Sequence, residues 1–272
     1  MENMHLTRWI TGLIAAPLLI LLIVAGSIHQ FALFVAAVAV TALWEYNRIV
    51  FYFSPKGKPF LYFLPEYTFG ALTVLAAGTT SPEWVLFTVF ASLIGFGFYS
   101  LFQFKVDPQA ARMVTAQIQG IVYICLPLAL IILIRTREGG TFWVLALLVM
   151  TFAGDTAAYY AGSYLGKHKL CPSVSPKKTI EGSLGGLAAN LLVGFSLKLL
   201  FLPEVRWGGM LFMCFLLGVV GQIGDLFESV LKRTADIKDS GGILPGHGGI
   251  LDRIDALLFA APVVWIFITK VF

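Results

Sequence analysis

The chain has 272 residues, of which 58% are hydrophobic and only 12% charged, and its mean hydropathy is +0.85. Soluble domains carry about 25% charged residues, so the composition excludes one and indicates a membrane protein. Three scattered cysteines, Cys125, Cys171 and Cys214, exclude a disulfide framework or a CxxC metal site.

Apolar stretches long enough to cross about 30 Å of hydrocarbon fall at 9–28, 30–50, 60–79, 84–104, 113–135, 141–163, 183–202, 208–226 and 252–272. They predict an all-α integral membrane protein, a polytopic bundle of nine transmembrane helices. Two regions are expected: N-terminal membrane helices over 1–112, and a C-terminal catalytic region over 113–272 that carries the loops 164–182 and 227–251. The first stretch follows Arg8 and has the look of a secretory signal. Its apolar run is longer than a signal's core and further spans follow, so it is expected to stay as a helix. The third is interrupted by Pro65 and Glu66.

The sixth stretch holds Asp155 well inside its apolar run. It also repeats Gly154, Ala158, Gly162 and Gly166 at four-residue spacing, and Gly182, Gly186 and Gly194 follow in the seventh. Small residues so spaced let helix backbones approach closely. "GSYLGKH" at 162–168 approximates a phosphate-binding P-loop, but it is one residue short and has His168 where a hydroxyl belongs. Packing is the better reading of these glycines.

Between the sixth and seventh stretches, Ser175 and Pro176 fit an N-cap and first helical position, which would put Lys177 and Lys178 in the first turn. Cations there oppose the helix dipole, so the pair suits an anion site. Taken alone, it reads more simply as loop lysines that fix topology. The eighth stretch ends in Asp225, Glu228 and Ser229 at i, i+3, i+4, and the ninth opens with Asp252 and Asp255 at i, i+3. Each set shares a helix face. Carboxylates held together repel unless a proton or a cation lies between them, and oxygen donors suit Mg²⁺. The joining segment interleaves Lys232, Arg233 and Lys238 with Asp236 and Asp239, and its glycines let backbone amides approach a ligand. His247 stands without HExxH or paired cysteines, so zinc is not expected.

Nine spans put the N-terminus and the loops after even-numbered helices on one face. That face collects Arg8, Arg48, Lys56, Lys58, Lys105, Arg112, Lys167, Lys169, Lys177, Lys178, Lys232, Arg233, Lys238 and Arg253, against Arg135, Arg137, Arg206 and Lys270 opposite. Basic loops stay cytoplasmic, so the chain is expected to be a multi-pass protein of the cytoplasmic (inner) membrane with its polar cavity open to the cytoplasm. Loop lysines account for the net charge of +4 without a nucleic-acid partner.

"SVLKRTADIKDSGGILPGHGGILDRID", Ser229 to Asp255, resembles the signature of the phosphatidate cytidylyltransferases, or CDP-diacylglycerol synthases: S-x-x-K-R-x4-K-D-x5-P-G-H-G-G-x-x-D-R-x-D. Every fixed position is met. The resemblance extends upstream through "GQIGDLFES" (221–229), "SPKKTIEGSLGG" (175–186) and "GDTAAYYAGSYLGK" (154–167). It implies transfer of the cytidylyl group of CTP to phosphatidate, giving CDP-diacylglycerol and pyrophosphate. By the same resemblance, Asp225, Asp252 and Asp255 would hold Mg²⁺, and Ser175, Lys177, Lys178, Thr179 and Glu181 would bind substrate. Lys232, Arg233, Lys238, Asp239, His247 and Arg253 would position phosphates or the metal. The partners implied are CTP, phosphatidate and the lipid bilayer, and the resemblance suggests a homodimer. Whether a second, monovalent cation joins Mg²⁺ is left open. A transporter would spread its acids through several helices and show inverted repeats, whereas nine of the fifteen acids lie between Asp155 and Asp255. A CTP-dependent lipid kinase is the nearer rival, because it shares the nucleotide and the membrane helices.

Overall fold

The structure, a computed structural model, describes residues 2–51, 60–105, 110–243 and 248–272. Among these, nine helices follow the nine apolar stretches closely: α1 (Glu2–Ala25), α2 (Ile28–Val50), α3 (Leu64–Ala76), α4 (Pro82–Gln103), α5 (Ala110–Arg135), α6 (Gly140–Leu165), α7 (Ile180–Phe201), α8 (Trp207–Thr234) and α9 (Leu251–Lys270). A short antiparallel pair, β1 (Lys169–Cys171) and β2 (Ser175–Thr179), separates α6 from α7. The chain is an all-α polytopic membrane protein. Among the described residues, six helices, α2 and α4 to α8, are long and apolar enough to cross a membrane. The 13 residues of α3 reach only about 20 Å, and single 3₁₀ turns extend it at both ends.

Two compact units emerge: 1–136 with 239–251, and 137–238 with 252–272. The first unit takes in α5, which packs on α2, α3 and α4. In this unit Ser27 and Gln30 form a reciprocal capping box at the start of α2. A π turn at Ile121–Cys125 precedes Pro127. Proline has no N–H and crowds the carbonyl four residues back, and a π turn accommodates that defect. The core joins Phe31, Ala39, Leu43 and Tyr46 of α2 to Val74, Phe96, Ile124 and Ile132, all at most 2% exposed. Phe90, Ile94, Phe98 and Leu101 of α4 stay exposed, as side chains facing lipid would.

The second unit is built on the predicted close approach of α6 and α7. A Cβ on Gly182 would lie 2.7 Å from the Ala158 carbonyl oxygen, and one on Gly186 2.9 Å from that of Gly154. Gly194 departs from the expectation: it packs on Cys214 of α8 instead. Leu147, Met150, Met210, Met213, Cys214, Ala260 and Val264 form this unit's core. Gly139, at φ +65°, ends the preceding turn and opens α6, a left-handed conformation that glycine adopts without penalty.

One predicted start is overturned. Ser175 and Pro176 do not cap α7, because 175–179 is the strand β2 and the helix begins at Ile180. Thr179 is the cap, its hydroxyl accepting the Gly182 N–H at 3.1 Å. Thr179 thus satisfies an orphan donor and leaves Glu181 in the first turn, where an anion suits the dipole. Starting at Pro176 would have set two lysines there instead.

Candidate active site

The charged residues of the second unit gather from α6, β2, α8 and α9. Lys232 is a buried lysine, 9% exposed. Its Nζ donates to Glu228, one turn back on α8, at 2.5 Å and to Asp252 on α9 at 2.6 Å. Glu228 is itself 1% exposed. An unpaired carboxylate at such depth is strongly disfavoured, so Lys232 is what permits two acids to be buried there. Lys178, carried inward by β2, pairs with Asp225 of α8.

Asp225 has further acidic neighbours. Asp155 of α6, Asp225 and Asp255 of α9 lie near enough to act on one another's charge, with Lys178 and Arg253 offsetting Asp155. Asp255 reaches this position because α8 and α9 touch at a glycine: a Cβ on Gly224 would lie 2.6 Å from the Asp255 carbonyl oxygen. Beside the acids, a small cavity is lined by Thr151, Asp155, Asn190, Gly218, Gln222 and Ala256 among others. Ser183 donates to Gln222, whose amide returns a bond to the Ser183 carbonyl at 3.0 Å.

Asp155, Asp225, Glu228, Asp252 and Asp255 stand against Lys178, Lys232 and Arg253. Fully ionised, that group carries two excess negative charges, which one divalent cation offsets. Among the described residues, no three acid, histidine or cysteine side chains converge tightly enough to hold an ion alone. Mg²⁺ does not demand that, since it usually takes one or two carboxylates, with substrate phosphates and water completing its shell. By the chemistry of their oxygen donors, Asp225, now paired with Lys178, and Asp255 would serve such an ion, while Asp252 is held by Lys232.

Other expected residues sit differently. The Glu181 carboxylate accepts from the backbone N–H groups of Lys167 and His168, at 3.0 and 3.2 Å, and pairs with the His168 ring. It holds the entry to the hairpin. Arg233 donates to the carbonyls of Val174 and Ile237, tying the hairpin turn to the segment after α8. Thr179 is buried beneath Gly162 and Gly166, whereas Lys177, Lys238, Asp239 and Arg253 are exposed and Ser175 is half-buried. His247 lies outside the described residues. Glu228 and Asp155 were visible in the sequence as acids in apolar runs; the partner of Glu228, Lys232, follows one turn later on the same helix, whereas the charges around Asp155 come from other elements.

A family model, that of the cytidylyltransferase family, matches residues 6–271. A protein of Staphylococcus epidermidis named phosphatidate cytidylyltransferase is 31% identical over 261 residues, covering 94% of this chain and 96% of that protein. One of the same name from Bacillus subtilis is 33% identical over 267 residues, 95% of each. Another from Staphylococcus aureus reaches 43% over a shorter 130 residues, 48% of this chain and 50% of its own.

Proposed function

The chain belongs to the cytidylyltransferase family, and from that premise we propose how its residues carry out the reaction. It transfers the cytidylyl group of CTP to phosphatidate, giving CDP-diacylglycerol and pyrophosphate. A phosphate oxygen of phosphatidate attacks the α-phosphorus of CTP, the bond from that phosphorus towards the β-phosphate breaks, and pyrophosphate leaves. Both groups arrive ionised and no covalent enzyme intermediate is needed. Catalysis is therefore positioning and charge neutralisation.

The observation that carries this reading is the interleaving of lysines with carboxylates in the second unit. Lys178 exchanges its carboxylate partner for a substrate phosphate when an anion enters. Lys232 stays buried, holding Asp252 and Glu228 in place. Lys177, Lys238 and Arg253 supply exposed positive charge, while Arg233, Thr179 and Glu181 set the shape of the hairpin and its neighbours. Asp225 and Asp255 would hold Mg²⁺, with Asp252 beside them, and the ion would supply positive charge against the CTP phosphates and the leaving pyrophosphate. The loops 164–182 and 227–251 face the cytoplasm, where CTP is found, and the lipid phosphate meets them at headgroup depth.

Purified protein in detergent, given phosphatidate and Mg²⁺ with CTP labelled at either the α- or the γ-phosphorus, tests the reaction. Label from the α-position should enter the lipid, and label from the γ-position should leave as pyrophosphate. The reverse pattern would identify a lipid kinase. If neither label enters the lipid, neither transfer stands.

A further inference from the structure

Glu45 of α2 belongs to no motif, yet its side chain is fully buried in the first unit, 0% exposed. A lone carboxylate in such a place is costly, and three donors from one distant stretch compensate it. Oε2 accepts the Leu251 N–H at 2.8 Å and the Ser240 hydroxyl at 3.1 Å, and Oε1 accepts the Ile250 N–H at 3.1 Å. Ser240 and Leu251 are themselves buried, at 2% and 0% exposed.

The same carboxylate closes over two glycines of that stretch. A Cβ on Gly249 would come within 2.6 Å of Glu45 Oε2, and one on Gly241 within 2.9 Å of Glu45 Cδ. Glu45 therefore grips both ends of the glycine-rich stretch and accounts for the lack of side chains at 241 and 249. Ile250 and Leu251 stand where α9 begins, so their N–H groups lack intrahelical acceptors. A carboxylate satisfies them and suits the positive end of the dipole. It is a helix cap supplied from another helix rather than from the preceding loop.

We propose that Glu45 is a positioning residue for cytidylyl transfer, acting by clamping the glycine-rich segment at Ser240 and at Ile250–Leu251; the proposal rests on the function given above. Asp239 immediately precedes one clamped point and Asp252 immediately follows the other. Through the chain itself, the clamp sets the direction in which both residues leave. Released, the segment would sample other conformations, and productive encounters with CTP would become rarer.

The test compares wild type with Glu45→Gln, Glu45→Asp and Ser240→Ala, each purified in detergent, with thermal midpoint, kcat and KM for CTP measured on the folded fraction. Glu45→Gln turns one acceptor into a donor facing backbone N–H groups, and kcat/KM should fall about 10-fold or more. Glu45→Asp restores part of the loss. Ser240→Ala, lacking one bond, is affected less, and adding it to Glu45→Gln costs less than the two separate effects combined. A folded Glu45→Gln with wild-type kcat and KM, changed only in its thermal midpoint, overturns the positioning role and leaves a merely structural one. Should Glu45→Gln not fold, Ser240→Ala decides: a kinetic defect supports the clamp, and wild-type kinetics overturns it. A wild-type protein without transfer overturns the function and the positioning role together.

Discussion

Removing the ammonium of Lys232 leaves Glu228 and Asp252 facing each other with little solvent, since their side chains are 1% and 10% exposed. Breaking one partner out of a buried pair typically costs about 3–5 kcal/mol. Lys232→Met should accordingly lower the thermal midpoint of the purified protein sharply, as well as its activity. Lys178 should behave otherwise, because its pair with Asp225 is only partly buried. Lys178→Ala should keep its fold and lose kcat/KM for CTP or phosphatidate by about 10-fold or more, on the scale of a lost electrostatic contact. The exposed Lys177 serves as its control, and Lys177→Ala should lose less. Equal, wild-type kinetics in both would return these lysines to a purely topological role. The identities of these residues were legible in the sequence, since both lysines fall in recognisable strings. Glu228, one turn from Lys232, was legible too, but the distant partners were not: Lys232 meets Asp252 across 20 positions, and Glu45 meets Leu251 across 206. No local period encodes such distances.

At the scale of elements, the nine apolar stretches foretold nine helices because hydropathy and length suffice when backbone groups must bond within their own segment. The small-residue spacing of α6 likewise foretold its contact with α7. Gly186→Val tests that contact: a side chain there meets the Gly154 carbonyl and the Ala158 methyl at 2.9 and 3.1 Å. Overpacking of this kind costs about 1–3 kcal/mol, so the variant should lose thermal stability, and Gly208→Val, which meets nothing within 4 Å, should not. A Gly186→Val protein as stable as wild type would mean that α6 and α7 are not so closely apposed. The start of α7 was misjudged for a physical reason. Ser-Pro and Thr-x-x-Gly are both plausible entries to a helix, and the choice between them rests on β2 pairing with β1. That pairing is non-local, and the three-residue partner β1 carries almost no pattern of its own.

For the whole molecule, the distribution of basic residues predicts an orientation. The N-terminus and the loops 164–182 and 227–251 should lie in the cytoplasm, with Phe272 on the far side. Single cysteines at the exposed positions Ser173 and Ile243, placed in a chain lacking Cys125, Cys171 and Cys214, should react with an impermeant reagent only once the inner face is opened. Labelling from outside intact cells would reverse the topology. The central claim is that the carboxylates of α8 and α9 serve the transfer by holding Mg²⁺, and Asp255→Asn tests it most directly. That change keeps the shape of the side chain and removes its charge. Incorporation of α-labelled CTP into phosphatidate, measured across a Mg²⁺ titration on folded protein, should fall about 100-fold or more in kcat for the variant and need more Mg²⁺ for half-activation. An Asp255→Asn protein with wild-type kcat and an unchanged Mg²⁺ requirement would contradict it.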